Sequence, residues 1–226
     1  MIRLVLFDID GTLIASGGAG VRAFAAAAEH AFALPGATRQ MTFAGRTDVS
    51  LVRELFLSQG IEPSAQNITL FLTTYLHWLE RYLHELPGRV LPGVSEALAT
   101  IRALPEPPVI SLLTGNVRRG AELKLRRYGL WEEFVLGAFA DDHEDRNQIA
   151  AIAHQRGAEH LGRPLAGSEI LVIGDTPHDI TCARHIGAPC LAVATGGFTV
   201  DQLRAHDPAW AVENLHQIDL PTVCRG

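Results

Sequence analysis

Two carboxylates one residue apart, Asp8 and Asp10, end the apolar run Leu4-Val5-Leu6-Phe7 and are followed at once by Gly11 and Thr12. A run with apolar residues on both faces reads as a buried strand. Both carboxylates then stand at its carboxyl end, the edge where open parallel α/β sheets bind ligands. Asp-x-Asp-Gly-Thr, four fixed positions, recurs by chance about once in a hundred thousand windows when each residue type is used at roughly 5–7%. A second acidic group follows another apolar run: Ile170-Leu171-Val172-Ile173 leads into Gly174-Asp175-Thr176-Pro177-His178-Asp179. Alone, Gly-Asp-x-Pro is a common helix start, with Asp as a cap and Pro as the first helical residue. Beside the first motif, Asp8 and Asp175 make a hard-oxygen site, and Mg²⁺ takes one or two carboxylates plus water and phosphate oxygen. A third run, Val109 to Leu113, exits into Thr114-Gly115-Asn116. A hydroxyl and an amide near a helix start suit a phosphate, and Asn116 is placed to cap that helix. After a fourth strand, Phe134 to Phe139, comes Asp141-Asp142-His143-Glu144-Asp145-Arg146. The acidic part reads as a solvated face. Arg146 is the only basic residue at a strand exit between the Thr114 and Asp175 motifs. Carboxylates, a hydroxyl, an amide and a guanidinium are the parts a metal-dependent phosphoryl transfer needs.

The elements that must position these groups follow from the patterning. From residue 91 onward apolar strands alternate with amphipathic helices at 117–128, 145–161 and 177–186, which argues for a parallel sheet with helices on both faces. Between residues 15 and 86 there is no strand signal. Val21, Phe24, Ala25, Ala28 and Phe32 recur at helical spacing, a second helix follows Thr47 or Asp48 as cap, and Pro63-Ser64 opens a long third helix. The fold class expected is α/β, a doubly wound parallel sheet spanning 1–14 and 87–226, with an inserted all-α cap domain at 15–86. Ser16 to Gly20 and Pro87-Gly88 are the two crossings.

Asp8-Ile9-Asp10-Gly11-Thr12 resembles the first motif of the haloacid dehalogenase superfamily. Thr114-Gly115-Asn116 resembles its second, Gly174-Asp175 its fourth, and Gly45-Arg46-Thr47-Asp48 the cap segment of its phosphoglycolate-phosphatase-like members. The resemblance implies a Mg²⁺-dependent phosphatase with Asp8 as nucleophile, forming a phospho-aspartyl intermediate, and Asp10 as the acid and base. It assigns the metal to Asp8, the Asp10 backbone carbonyl and Asp175, with Asp179 behind them. The third motif is commonly lysine. The single lysine, Lys124, falls mid-helix on what reads as a solvated face, so Arg146 takes that role. Thr114, Gly115 and Asn116 are expected to bind phosphate, and Arg46 to touch the substrate from the cap. A small phosphate ester is implied, phosphoglycolate the best single choice. A phosphomutase or a non-catalytic binding module on the same scaffold are the alternatives.

The composition bounds this reading. With 226 residues and 47% hydrophobic content the chain can bury a sizeable core. A net charge of −6 argues against a broad nucleic-acid surface, and leaves an anionic substrate dependent on local cations. Three scattered cysteines, Cys182, Cys190 and Cys224, suggest a reduced, cytoplasmic setting. No signal peptide or membrane span is read. The ten histidines form no ligand pattern.

Overall fold

The computed structural model describes residues 1–225. The chain opens with β1 (Leu4–Phe7) and the two-residue β2 (Ile14–Ala15), then runs through α1 (Ala19–Phe32), α2 (Asp48–Ser58) and α3 (Ala65–Glu85). It returns through β3 (Arg89–Val90) and alternates: α4 (Val94–Arg102), β4 (Val109–Leu113), α5 (Arg118–Arg127), β5 (Leu136–Ala138), α6 (Arg146–His160), β6 (Ile170–Gly174), α7 (Pro177–His185), β7 (Cys190–Val193), α8 (Val200–Arg204), β8 (Trp210–Val212) and α9 (Leu220–Arg225).

Six strands pair in parallel in the order β5-β4-β1-β6-β7-β8. The sheet order reverses at β1, which lies between β4 and β6. Such a reversal opens a crevice at the carboxyl ends of the strands. β1 is buried on both sides because its residues alternate between two cores. Val5 and Phe7 pack with Leu98, Ile101 and Leu125 on one face. Leu4 and Leu6 pack with Ile149, Ala153 and Ile180 on the other. No helix among the described residues is long and apolar enough to cross a membrane.

The inserted segment is all-helical, as its patterning indicates. Helices α1, α2 and α3 bury Phe24, Val52, Phe56, Phe71 and Leu79 in a third core, which also takes in Val117 and Ala140 from the sheet domain beneath. Thr47 caps α2 by accepting from the Ser50 amide at 3.2 Å, and Ser64 caps α3 by accepting from Asn67 at 3.2 Å. Two details depart from the sequence reading. Val21 is exposed rather than inward, because α1 begins at Ala19 and turns Ala23, Phe24 and Ala27 into the core. The residues next to the two crossings, Ile14–Ala15 and Arg89–Val90, pair as a short antiparallel ribbon, β2 with β3. Two-residue strands are too short to show a period.

Candidate active site

The turn after β1 sets the geometry of the site. The Ile9 carbonyl accepts from Leu13 at 2.9 Å and Ile14 at 3.1 Å, which folds the chain back and turns Asp10 toward the crevice. Gly11 sits at φ +82°, and a Cβ there would lie 2.3 Å from an Asp175 carboxylate oxygen, so the position excludes other residues on both counts. Thr12 donates to the other Asp175 oxygen at 3.0 Å. The Gly-Thr of the motif thus fits the carboxylate that arrives from β6, one strand away.

Asp8, Asp175 and Asp179 are buried, and their oxygens come within 4.8 Å of one another. One guanidinium bridges two of them, Asp8 and Asp179. Arg146 Nη2 lies 3.0 Å from Asp8 Oδ2 and 2.5 Å from Asp179 Oδ1. The other Asp179 oxygen accepts from the Thr176 amide at 3.0 Å and hydroxyl at 2.8 Å. Both Asp179 oxygens are therefore engaged within the protein, while Asp8 and Asp175 face the cavity. Burial pushes the Asp8 carboxyl up to about 6, against the pull of Arg146. Burial and the neighbouring Asp179 and Asp8 raise Asp175 well above the usual carboxylate range. So the cluster carries more negative charge than its one cation offsets, on an all-oxygen donor set. That is the charge and chemistry a hard divalent cation fits.

Arg146 is 7% exposed and stands where the sequence reading placed it, whereas Lys124 does not lie on a solvated face. It is 3% exposed, with Nζ 2.6 Å from Asp10 Oδ2 and 2.6 Å from Asn116 Oδ1. The buried stripe of α5 is Gly120, Ala121, Lys124 and Leu125; Ala121 and Leu125 face the sheet core, and α3 packs over the helix on the Gly120 side. Asn116 is corrected too. Its side chain does not cap α5: it donates to Asp10 Oδ2 at 2.9 Å and to Thr114 Oγ1 at 2.8 Å. The α5 terminus is served from elsewhere. Asp48, across in the insert, accepts from the Val117 amide at 2.8 Å, and Asp141 accepts from Arg118. Thr47 does the capping of α2, which leaves Asp48 free for this task. Asp142 and Asp145 are likewise spent within the protein, on Arg156 and on the Asn147 amide. The three cysteines are unpaired and buried.

These groups open on a cavity of about 450 Å³ between the sheet edge and the helical insert, lined by Asp8, Asp10, Thr114, Lys124, Arg146 and Asp175 among others. Gly115 and Arg46 also line it. The Gly115 carbonyl accepts from Asp48 N at 2.7 Å, and the Arg46 guanidinium is bound to Glu54 at 2.6 Å. Arg118 and Arg119 stay outside, on Phe139 and Glu122.

The family model for haloacid dehalogenase-like hydrolases matches residues 5–184. A Dickeya dadantii protein named "Probable phosphatase IndB" is 30% identical over 96% of this chain and 92% of its own. A phosphoglycolate phosphatase from Chromobacterium violaceum is 28% identical over 96% of each. In architecture the chain resembles a hydrolase from Pseudomonas syringae, with TM-score 0.74 and 23% identity over 95% of this chain and 94% of that one. It also resembles CbbY from Rhodobacter sphaeroides, with TM-score 0.68 and 17% identity over 88% of each. The chain belongs to the haloacid dehalogenase-like hydrolases.

Proposed function

We propose that the chain is a Mg²⁺-dependent phosphatase of small phosphate monoesters, acting through a phospho-aspartyl intermediate on Asp8. The observation that carries this reading is the meeting of Asp8, Asp10 and Asp175 at the ends of two neighbouring strands, with Lys124 and Arg146 as separate cations. Asp8, the Asp10 backbone carbonyl and Asp175 would hold Mg²⁺, with Asp179 holding Arg146 behind them. When bound, the ion offsets the negative charge shared by phosphate and carboxylates. Thr114, with the Gly115 amide and Asn116, forms the phosphate cradle. Asp8 attacks phosphorus and the bond to the leaving oxygen breaks, while Asp10 gives that oxygen a proton. Lys124 and Asn116 both donate to Asp10 Oδ2, so the proton in transit belongs on Oδ1. In the second step Asp10 takes a proton from water, which attacks the acyl phosphate and frees Asp8 and inorganic phosphate. Arg146 holds Asp8 and meets the phosphoryl oxygens.

Residues 15–86 act as a cap over a core of 1–14 and 87–226, and Arg46 sits on the cap side of the substrate. Phosphoglycolate is the reference compound, since several relatives of this chain carry that activity in their names. The test is phosphate release from a panel of small esters with Mg²⁺ and with EDTA. Turnover with Mg²⁺, lost in EDTA and in Asp8→Asn, is the expected result. Turnover that survives Asp8→Asn in a folded protein overturns the mechanism.

A further inference from the structure

The cap wall of the cavity differs in character from its floor. Phe24, Phe43 and Leu51 line it, with Phe24 edge-on to Phe43 at 5.3 Å and to Tyr75 at 6.2 Å. Two polar groups interrupt this apolar surface. Tyr75 is 2% exposed and also lines the cavity, yet its hydroxyl has no hydrogen-bond partner among the described residues. The hydroxyl is not sealed away, since Tyr75 lines the cavity and a partner can meet it there. A methyl built on Gly20 would lie 3.8 Å from that hydroxyl and 3.4 Å from Lys124 Nζ, so both groups face the cavity around Gly20. Asp48 is the second polar group. One of its oxygens takes the Val117 amide at 2.8 Å, and the other has no partner among the described residues.

The charges lining the cavity matter as much as its shape. Each lining cation already has its acid: Arg46 with Glu54, Lys124 with Asp10, Arg146 with Asp8 and Asp179. Asp48 adds a carboxylate on the cap side with no salt-bridge partner of its own. A second negative charge on the leaving group would meet this acid and no unmatched cation. The volume of about 450 Å³ also exceeds what a two-carbon alcohol fills.

We infer that the cap side is a subsite for an uncharged, ring-sized leaving alcohol carrying a hydroxyl or N–H group, with the Tyr75 hydroxyl and the Asp48 carboxylate as its polar contacts and Phe24, Phe43 and Leu51 as its walls. This rests on the phosphatase reading above. It ranks neutral polyol esters above phosphoglycolate for this chain. Tyr75 and Asp48 are specificity-determining residues: they touch the leaving group and leave the phosphoryl group to the floor.

The experiment compares specificity constants for a pentose 5-phosphate, phenyl phosphate and phosphoglycolate, with Mg²⁺ present. The pentose ester should exceed phosphoglycolate by at least roughly tenfold, the order expected of one unmatched charge. Tyr75→Phe keeps the ring and removes only the hydroxyl. It should lower the pentose ester roughly three- to tenfold more than phenyl phosphate, the span of one neutral hydrogen bond. Asp48→Asn keeps an acceptor for the Val117 amide, and should raise phosphoglycolate relative to the pentose ester. Phosphoglycolate as the best of the three overturns the inference. So does an equal loss on both neutral esters in Tyr75→Phe, or an unchanged ratio in Asp48→Asn. Absence of phosphate release from every ester instead overturns the phosphatase reading, and this one with it.

Discussion

Lys124 and Arg146 are both buried cations at the same site, and their partners set them to different tasks. Arg146 is on Asp8 and Asp179, where the proposed reaction brings the phosphoryl group. Lys124 is on Asp10 and Asn116, which the proposed reaction sets on the side of the leaving oxygen. Arg146→Ala should therefore lower the specificity constant on all esters alike, by roughly 10²–10³, the usual worth of one fixed donor to a developing oxyanion. Arg146→Lys should keep part of it, since a point charge remains but the planar fork does not. Lys124→Met should act through the placement of Asp10. Its loss should be large for alkyl esters and small for aryl esters, whose leaving groups need little help from an acid. Specificity constants on matched alkyl and aryl esters check both. Equal losses on the two ester classes in Lys124→Met would remove it from the leaving-group side. The sequence shows Arg146 because it stands at a strand exit, whereas it hides Lys124. Flanked by Leu123 and Leu125, that lysine reads as the polar face of its helix. Its partner Asp10 lies 114 residues away, so no local pattern reports the pair.

The joint between insert and sheet domain is built from backbone as much as from side chains. Asp48 donates its amide to the Gly115 carbonyl at 2.7 Å, Thr47 donates to the Glu144 carbonyl at 2.7 Å, and Arg127 donates to the Leu83 carbonyl at 3.1 Å. At Gly115 the fit leaves no room: a Cβ would lie 2.2 Å from the Arg46 carbonyl oxygen. Gly115→Ala keeps the amide proposed to cradle phosphate but wedges the insert away from the sheet edge. It should fold and still gain stability from Mg²⁺, because the carboxylate cluster lies below the wedge. Turnover should drop at least tenfold, because the closed site excludes water and completes the constellation. Thermal unfolding with and without Mg²⁺, beside turnover, checks this. A variant that turns over like wild type would mean the seated insert is not needed for the reaction. At this scale the sequence shows the long elements well. β1, β4, β6 and β7 are apolar runs, and of the inward face read for α3 (Ile68, Leu72, Tyr75, Leu79 and Leu83) the last three are buried, with Phe71 buried in place of the half-buried Ile68 and Leu72. It does not show the β2–β3 ribbon or the capping of α5 by Asp48. Both depend on chain segments that meet only once the insert has folded back, and Asn116 offers a nearer, misleading cap.

Across the whole molecule, the sheet gathers charge at one edge that its own core does not favour. β1 and β6 are neighbours because their apolar residues pack on both faces, and that pairing forces Asp8 and Asp175 together at the strand ends. This also explains how a parallel sheet with its ligand groups at the carboxyl ends of the strands could be expected from alternating apolar runs, whereas the order of the strands and the balance of charge could not. The balance turns on which oxygens are already hydrogen-bonded, as both of Asp179's are. The fold without metal should therefore be less stable than it could be, and the deficit should depend on pH. The Asp8 carboxyl is raised from its ordinary 3.8 to about 6, chiefly by burial. An acid whose pKa is higher folded than unfolded favours the fold in its neutral form. Its contribution is full below about 4 and is lost as pH rises through about 6. Two units correspond to about 3 kcal/mol, or roughly 6–12 °C in Tm for a chain of this size. In EDTA, Asp8→Asn should thus melt above wild type at pH 7, and the gap should close toward pH 4. Mg²⁺ should raise the wild-type Tm at pH 7 by mass action and leave the Asn variant, stripped of one ligand, nearly unmoved. Melting curves at pH 4, 5, 6 and 7, each with EDTA and with Mg²⁺, decide it. A gap that stays constant across that range, or a Mg²⁺ gain shared equally by both proteins, would show that the Asp8 carboxylate is neither the strained group nor the ligand.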